Sequence, residues 1–495
     1  MMRGMDSRLG SAAELLLPAI RWDELRGFAA GREVVEAGLR LGVGGFIFFG
    51  GPQDEVRALI KELRQRSRTA LLFGADLERG AGQQFEGATG LPPLAAIASL
   101  RDAATIGRAA KLTAREARTI GINWDYAPVC DLDVLPENPI VGTRALGGDP
   151  GEVATLAAAW IEACQLEGVL ACAKHFPGHG RTIGDSHVEL PRVEADRQTL
   201  LENDIVPFRA AIACGVASIM TAHVAYPALD ASGTPATLSR DILRYFLRER
   251  LGYDGLVVTD ALIMEGVLAG QGEGEAAVRA LDAGCDLLLY PTDVEAVARS
   301  IEQAVAEHRL DEAQLYRAMR RRLKWAQWAS PPTDYRRASQ ADVQWASQLC
   351  ERVVHVVRGD VPPLGDTIEV VVVDDDVGGP YAPPSREPFF EALRGAGRPG
   401  RRVEAPGATS RAPVVVALFG DIRAWKRRAG YSEESRRAVA AAVAKAKEHG
   451  REAIVVHFSH PRLAAELAAA PTVVCAWGGE RAMQEAAARW LVRGR

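Results

Sequence analysis

Residues 168–187 read Gly-Val-Leu-Ala-Cys-Ala-Lys-His-Phe-Pro-Gly-His-Gly-Arg-Thr-Ile-Gly-Asp-Ser-His. The first six residues form a short apolar run, which predicts a strand buried in the core of the protein. Lys174 and His175 come directly after this run, and Pro177 with the glycines beyond it predicts a loop. Residues 174–187 include one lysine, three histidines, one arginine and one aspartate. So many titratable side chains at the end of a buried strand are typical of a site for chemistry.

Similar apolar runs recur along the first part of the chain and alternate with amphipathic, helix-forming segments. The eight predicted strands are Leu15–Ile20, Gly44–Phe49, Ala70–Ala75, Ile122–Val129, Val169–Ala173, Ala217–Thr221, Leu256–Thr259 and Asp286–Tyr290. Strands that are apolar on both faces and alternate with helices indicate a parallel sheet. Eight of them within roughly 300 residues favour a (β/α)8 TIM-type barrel over an open doubly wound sheet.

A barrel of this kind carries its functional side chains just beyond the carboxyl ends of its strands. Ionisable residues follow five of the predicted strands, and they are Asp76, Asp131, Arg144, Lys174, His175, His223 and Asp260. An ionisable group at the end of an apolar strand is costly unless it is paired or used. We therefore expect these residues to form an active site on one rim of the barrel.

The sequence pattern changes after residue 310, where an Arg-rich helical stretch leads into Ser330-Pro-Pro-Thr-Asp334. Further strand candidates follow, and they are Ile368–Val373, Pro413–Leu418, Ala453–Phe458 and Thr472–Ala476. We predict a barrel domain over residues 1–330, a linker and helix over 331–360, and a smaller α/β sandwich domain over 361–495. Asp374-Asp-Asp376 ends the first strand of the smaller domain, and we interpret it as a solvated acidic loop.

Composition and charge limit the class of protein. Hydrophobic residues make up 48% of the chain and charged residues 25%, which is typical of a soluble globular protein. The net charge of -5 gives no basic surface for nucleic acid, and neither a phosphate-binding loop nor a dinucleotide fingerprint is present. The amino terminus lacks the apolar region of a signal peptide, and no apolar run is long enough to span a membrane. The seven cysteines are scattered, which argues against a disulfide framework. We expect a cytoplasmic protein without a cofactor.

Several segments carry a resemblance to a known family. Lys174-His-Phe-Pro-Gly-His-Gly180, followed by Asp185-Ser-His187, resembles the signature of β-N-acetylglucosaminidases in glycoside hydrolase family 3. The likeness extends over most of residues 10–310. The other matching segments, in chain order, are Asn123-Trp-Asp-Tyr-Ala-Pro-Val129, Asn138-Pro-Ile-Val-Gly-Thr-Arg144, Gly148-Asp-Pro150, Thr221-Ala-His-Val224, Pro235-Ala-Thr-Leu-Ser239 and Gly252-Tyr-Asp-Gly-Leu-Val-Val-Thr-Asp-Ala261.

The resemblance implies an exo-acting, retaining glycosidase that acts on a carbohydrate with a terminal β-linked sugar. It implies Asp260 as the nucleophile, with His187 and Asp185 as an acid–base pair on a mobile loop. The implied substrate-binding residues are Asp76, Arg144, Lys174, His175, Gln84 and His223. In bacteria, a cytoplasmic enzyme of this type suggests recycling of cell-wall fragments.

The chemistry of these residues agrees with the implied roles. Hydrolysis with retention needs a carboxylate beneath the anomeric carbon and a proton donor on the opposite side. A neutral His187 avoids repulsion with Asp260, and an ordinary histidine pKa of about 6.5 lies near working pH. Asp185 is close enough along the chain to fix the tautomer of His187. Lys174 and Arg144 can donate hydrogen bonds to sugar hydroxyls.

One stretch departs from the family pattern. The family usually has Asp-x-Glu-Gly-Gly-Arg-Val-Gln-Arg after its third strand, whereas this chain has Asp76-Leu-Glu-Arg-Gly-Ala-Gly-Gln-Gln84. Ala81 and Gln84 replace the two family arginines, the second of which would help to grip the sugar. Arg79 or Arg181 could compensate. The departure leaves specificity for N-acetylglucosamine open, although the reaction type is unaffected.

Four alternatives remain open. A β-glucosidase or β-xylosidase of the same family would fit the same motifs. Lys174 at the end of a barrel strand could form a Schiff base, as in an aldolase. His175, His179, Asp185 and His187 could ligate a metal ion in a metal hydrolase. A sugar-binding protein without catalysis is less consistent with the sequence, because candidates for both the nucleophile and the acid–base group are present.

Overall fold

The apolar runs of the sequence form short, buried strands. The computed structural model describes residues 12–184, 190–268, 270–329, 338–378, 383–421 and 426–493. Its strands are β1 (Leu16–Leu17), β2 (Ala19–Arg21), β3 (Gly45–Phe49), β4 (Leu72–Ala75), β5 (Trp124–Asp125), β6 (Leu170–Phe176), β7 (Ser218–Thr221), β8 (Leu256–Ala261), β9 (Leu287–Leu289), β10 (His355–Arg358), β11 (Ile368–Asp374), β12 (Gly400–Val403), β13 (Val414–Phe419), β14 (Ala453–Phe458) and β15 (Thr472–Cys475).

The helices begin at capping side chains in many cases. Asp149, for example, accepts a hydrogen bond from the backbone N–H of Glu152 at 2.8 Å, which satisfies a donor of the first helical turn. The helices are α1 (Arg32–Leu41), α2 (Gln53–Arg66), α3 (Leu94–Ala98), α4 (Ala103–Ile120), α5 (Pro150–Leu166), α6 (Arg197–Thr199), α7 (Val206–Ala213), α8 (Glu265–Leu268), α9 (Glu273–Ala283), α10 (Val294–Ala306), α11 (Glu312–Trp328), α12 (Gln340–Val353), α13 (Glu387–Gly395), α14 (Glu433–Glu448) and α15 (Arg481–Arg493). Within the described ranges, no helix is long and apolar enough to cross a membrane.

The chain divides into two compact units. The first comprises Met1–Thr89, Asp102–Leu135 and Ala145–Ala338, and the second comprises Gly90–Arg101, Pro136–Arg144 and Ser339–Arg495. The second unit therefore includes two short segments from the first third of the chain. The predicted domain boundary at Ser330–Asp334 lies outside the described residues.

The first unit contains a parallel sheet that closes into a barrel. In the part of the chain that the structure describes, nine strands follow the order β1-β9-β8-β7-β6-β5-β4-β3-β2. Only Pro18, which has no N–H to donate, separates β1 from β2. Leu17 pairs with Leu289 of β9 and Arg21 pairs with Phe49 of β3, so the interrupted first strand joins both ends of the sheet. The predicted (β/α)8 barrel is confirmed.

Strand β5 is shorter than predicted. It covers Trp124–Asp125, whereas the apolar run extends from Ile122 to Val129. Pro128 cannot donate to the ladder, and beyond Asp125 the run pairs with β6 only through irregular contacts. One of these is the hydrogen bond from Cys130 N to Lys174 O, 2.6 Å long. The run therefore keeps its place beside β6 without a regular strand.

The second unit is an α/β sandwich, as predicted. Its described strands follow the order β10-β15-β14-β13-β11-β12, and only β10 is antiparallel to its neighbour. Alternate side chains pack on opposite faces of the sheet, as the period of a strand requires. Val370 packs in the apolar cluster that contains residues of α12, α13 and α15, whereas Val371 packs in the cluster that contains residues of α14.

The interpretation of Asp374-Asp-Asp376 as a solvated loop is wrong. Asp375 is only 5% exposed and Asp376 only 2%. Lys426 Nζ lies 2.6 Å from Asp376 Oδ1 and 3.3 Å from Asp375 Oδ2, and Arg386 lies 2.9 Å from carboxylate oxygens of both Asp374 and Asp376. Arg386 and Lys426 lie 10 and 50 residues along the chain from Asp376, so the three acidic residues by themselves do not indicate a buried ion-pair network.

Candidate active site

The carboxyl ends of β4, β6 and β8 bring the predicted rim residues together. Asp76 directly follows β4, Lys174 and His175 lie among the last three residues of β6, and Asp260 lies near the end of β8. Neighbouring parallel strands end at the same edge of a barrel, which is the reason for their proximity. The peptide bond between Lys174 and His175 is cis.

Lys174 occupies the centre of a carboxylate cluster. Its ammonium lies 2.7 Å from Asp76 Oδ1 and 2.7 Å from Glu78 Oε1, and its side chain is 1% exposed. Two carboxylates at this distance stabilise the charged ammonium. A Schiff-base lysine must lose that charge to attack a carbonyl group, so the ion pairs weigh against the aldolase alternative. Glu78 was not among the predicted site residues, although its place two residues after Asp76 is part of the family pattern.

Asp125, at the end of β5, is a buried carboxyl group close to Lys174. Its Oδ1 accepts from the backbone N–H of Leu77 at 3.2 Å and its Oδ2 from Trp160 Nε1 at 3.3 Å. Burial raises the pKa of Asp125 to about 7, against the opposing effect of the positive charge on Lys174. Asp125 therefore titrates near neutral pH, in contrast to an ordinary aspartate.

His175 is held by Asp131, which is completely buried in the loop after β5. His175 Nδ1 lies 2.6 Å from Asp131 Oδ2, and the backbone N–H groups of His175 and His179 donate to Asp131 Oδ1 at 3.0 and 2.6 Å. Burial alone would raise the pKa of Asp131, but its electrostatic attraction to His175 and the hydrogen bonds from His175 and His179 hold that pKa below its ordinary value. Asp131 is therefore an ionised hydrogen-bond acceptor.

Asp260 is the predicted nucleophile, and its side chain is 24% exposed. Its Oδ1 accepts the backbone N–H of Ala261 at 2.7 Å, and its Oδ2 lies 3.9 Å from His175 Nε2. The imidazole of His175 therefore joins Asp131 on one side to Asp260 on the other. This arrangement leaves part of Asp260 accessible from the mouth of the barrel.

His223, at the end of β7, supports the same region. Its Nδ1 lies 2.7 Å from Thr237 Oγ1, and its Nε2 lies 3.2 Å from the carbonyl oxygen of Ala261. Because that carbonyl can only accept, Nε2 carries the proton. Both ring nitrogens thus contact protein atoms, and one of these is the carbonyl oxygen of Ala261, the residue after Asp260. The geometry favours support of the strand end over the predicted contact with substrate, which stays a prediction.

The loop that follows β6 is anchored by close packing. A Cβ atom on Gly180 would lie 1.9 Å from the carbonyl oxygen of Leu132, so only glycine fits there. His179 is buried, and this burial lowers its pKa to about 4, so its ring is neutral at working pH. Asp185 and His187, the predicted acid–base pair, lie outside the described residues.

Comparison with known proteins identifies the family. The sequence model of a protein family, described as the N terminal domain of glycosyl hydrolase family 3, matches residues 13–324. The chain belongs to glycosyl hydrolase family 3.

Relatives with named activities agree with this family. The chain is 35% identical over 264 residues to the beta-N-acetylglucosaminidase/beta-glucosidase of Cellulomonas fimi, a match that covers 52% of this chain and about half (47%) of that protein. It is 39% identical over 260 residues to the beta-hexosaminidase of Thiobacillus denitrificans, covering 50% of this chain and 71% of that protein. The structure of a glycoside hydrolase family 3 beta-N-acetylglucosaminidase from Paenibacillus sp. str. FPU-7 aligns over 97% of this chain and 96% of that chain, with 28% identity and a TM-score of 0.84. The predicted family and enzyme class are confirmed.

Gln84 stands where family 3 usually has an arginine, and the structure gives it a local contact. Its Oε1 accepts the backbone N–H of Gly50 at 3.2 Å, just after β3. Arg181 forms an ion pair with Asp204 at 2.8 Å, which weighs against its taking over the role of the missing arginine. Arg144 ends a turn of 3-10 helix in the second unit, and its predicted contact with the sugar stays a prediction.

The metal-hydrolase alternative is not supported by the described side chains. His175 Nδ1 faces Asp131, and His179 Nδ1 lies 2.8 Å from Thr182 Oγ1. Over the described ranges, no group of three or more His, Cys, Asp or Glu residues is arranged to hold a metal ion. Asp185 and His187, the other two suggested ligands, lie outside those ranges.

Proposed function

We propose that this family 3 protein is a retaining, exo-acting β-N-acetylhexosaminidase that releases terminal N-acetylglucosamine. The observation that carries the proposal is the position of Asp260. It is a partly exposed carboxylate at the end of a barrel strand, and His175 Nε2 lies 3.9 Å away. The relatives from Cellulomonas fimi, Thiobacillus denitrificans and Paenibacillus carry names that support this substrate class.

The proposed reaction has two steps. Asp260 attacks the anomeric carbon while His187 protonates the leaving oxygen, and a glycosyl-enzyme forms on Asp260. His187 then takes a proton from water, which attacks the same carbon and releases the sugar with its original stereochemistry. Asp185 is assigned the role of fixing the tautomer of His187, as the resemblance to the family implies.

Substrate binding is assigned to polar residues of the predicted set. Lys174 is assigned to the sugar because an ammonium donates hydrogen bonds to hydroxyl groups, and its charge is balanced by Asp76 and Glu78, each 2.7 Å away. Asp76 is partly exposed and can accept from a hydroxyl group while its charge is balanced by Lys174. His175 and Arg144 complete the proposed set.

A second candidate is a β-glucosidase, and the observation that favours it is Gln84. This residue replaces a family arginine and hydrogen-bonds to the backbone of Gly50, so one charged contact to the sugar is missing. The Cellulomonas fimi relative is named for both activities. A cytoplasmic role in recycling cell-wall fragments is a further part of the proposal and rests on the resemblance to the family.

The decisive assay compares the 4-nitrophenyl β-glycosides of N-acetylglucosamine, glucose and xylose. The N-acetylglucosaminide should give the highest kcat/KM. A glucoside preferred tenfold, or about 1.4 kcal/mol in transition-state binding, would overturn the sugar specificity and leave the mechanism standing.

Covalent labelling tests the nucleophile directly. A 2-fluoro sugar with a good leaving group should label Asp260, and Asp260→Ala should lose nearly all turnover while it retains the fold. Labelling of Glu78 or Asp131 in its place would refute the assignment.

A further inference from the structure

We propose that Asp131 is a positioning residue of the active site, which fixes the tautomer of His175 and anchors the start of the loop that follows β6. This inference rests on the proposed function, because it gives His175 a role beside the nucleophile. Its structural part concerns the location of one proton and can be tested without an assay of activity.

The first step of the argument is the chemistry of the acceptor. Asp131 is completely buried and ionised, so both of its oxygens can only accept hydrogen bonds. His175 Nδ1 lies 2.6 Å from Asp131 Oδ2, a distance typical of a charge-assisted hydrogen bond. The proton therefore lies on Nδ1, and Nε2 is the ring nitrogen that faces Asp260.

The second step concerns the backbone. Asp131 Oδ1 accepts from the N–H groups of both His175 and His179, at 3.0 and 2.6 Å. One carboxylate thus joins the end of β6 to the glycine-rich segment that leads towards Asp185 and His187. Three donors on a single buried carboxylate leave the ring of His175 little freedom to rotate.

The third step is the consequence for catalysis. The imidazole lies between two carboxylates, with Asp131 on its Nδ1 side and Asp260 Oδ2 at 3.9 Å from its Nε2. The identity of the protonated nitrogen decides whether Nε2 offers a lone pair or an N–H at the position of the reaction. A displaced ring or the wrong tautomer would disturb substrate and nucleophile together, and misplacement of this kind can cost about 10²-fold in rate.

Asp131→Asn tests the inference with almost no change in shape. The asparagine oxygen can replace Oδ1 and keep both backbone hydrogen bonds, but its NH2 group then faces His175 Nδ1. A donor at that position favours the opposite tautomer, with the proton on Nε2. We expect kcat/KM to fall about 10²-fold. The matched control is Asp149→Asn, at a helix cap of the same unit, where asparagine caps as well as aspartate and activity should be unchanged.

A double-mutant cycle separates positioning from a general effect on the fold. In a His175→Ala background, Asp131→Asn should change kcat/KM by no more than about twofold, because the ring through which Asp131 acts is absent. An undiminished loss of about 10²-fold in that background would overturn the proposal.

Nitrogen NMR of histidine-labelled protein gives a readout that does not depend on activity. In the wild type, the signals that disappear in His175→Ala should show a protonated Nδ1. An unprotonated Nδ1 would overturn the inference even if the enzyme is active. Absence of turnover on all three nitrophenyl glycosides, with a protonated Nδ1, would instead refute the proposed function and leave the assignment of the proton intact.

Discussion

Asp125→Asn tests the titration of the buried carboxyl group at the end of β5. The carboxyl group of Asp125 has a pKa of about 7 in the folded protein, against an ordinary value of 3.8. Between these two pH values the folded state binds more protons than the unfolded state, so this group lowers the stability of the fold as pH rises. The stability no longer falls once the pH exceeds the pKa that Asp125 has in the folded protein.

The expected magnitude follows from the width of that window. The two pH units between 5 and the folded pKa of about 7 correspond to about 3 kcal/mol, at about 1.4 kcal/mol per unit. Asparagine cannot ionise. Its NH2 group, however, takes the place of one of the two carboxylate oxygens that accept hydrogen bonds from Leu77 N and Trp160 Nε1. The lost hydrogen bond costs about 1–3 kcal/mol at every pH, so only the pH-dependent part reports the titration.

The assay is urea unfolding of the wild type and Asp125→Asn at pH 5 and pH 8. The free energy of unfolding of the wild type, minus that of the variant, should fall by about 3 kcal/mol from pH 5 to pH 8. The matched control is Asp54→Asn, on a carboxylate that is 81% exposed, where this difference should change by less than about 1 kcal/mol. If the value for Asp125 is equal at both pH values, Asp125 does not titrate in this range and the reasoning is refuted.

Three further substitutions test other parts of the molecule. Lys174→Met should abolish measurable turnover and lower the free energy of unfolding by about 3–5 kcal/mol, because it breaks the buried ion pair between Lys174 and Glu78; retention of activity would contradict the proposed role of Lys174. His187→Ala should release a burst of nitrophenol and accumulate glycosyl-enzyme on Asp260, but lose about 10²–10⁴-fold on a substrate with a poor leaving group; equal losses without a burst would show that the proton donor lies elsewhere. Lys426→Met should also lower the free energy of unfolding by about 3–5 kcal/mol, measured by calorimetry. The control is Arg428→Met, at a partly exposed position. An equal or smaller loss of stability in Lys426→Met would show that the ion-pair network of the second unit is dispensable.

The barrel could be predicted because its strands are buried on both faces. That burial gives continuous apolar runs, and eight such runs with helices between them leave few alternatives. At β5, by contrast, the apolar run from Ile122 to Val129 forms only two residues of regular strand. Hydrophobicity reports burial, whereas a strand also needs N–H donors in register, and Pro128 has none.

The site could be predicted only to the level of strand ends. The ends of β4, β6 and β8 place Asp76, Lys174, His175 and Asp260 on one rim, because parallel strands share their direction. Which groups pair across the strands could not be predicted, since pairing depends on the stagger of the barrel and on side-chain reach. The contacts of Lys174 with Glu78 and of His175 with Asp131 are therefore products of the fold.

These contacts also explain how several carboxyl groups on one rim can take different roles. Asp125 is buried and titrates near neutral pH. Asp131 is also buried, but it is ionised and accepts a hydrogen bond from His175. Asp76 is partly exposed, but an ammonium lies 2.7 Å away and balances its charge, which suits a group that accepts from a hydroxyl. Asp260 is partly exposed and has the imidazole of His175 at 3.9 Å, a longer contact that costs a carboxylate less of its nucleophilicity. Carboxyl groups in different environments can take different chemical roles. The burial and hydrogen-bond partners of these four residues therefore support Asp260 as the attacking group.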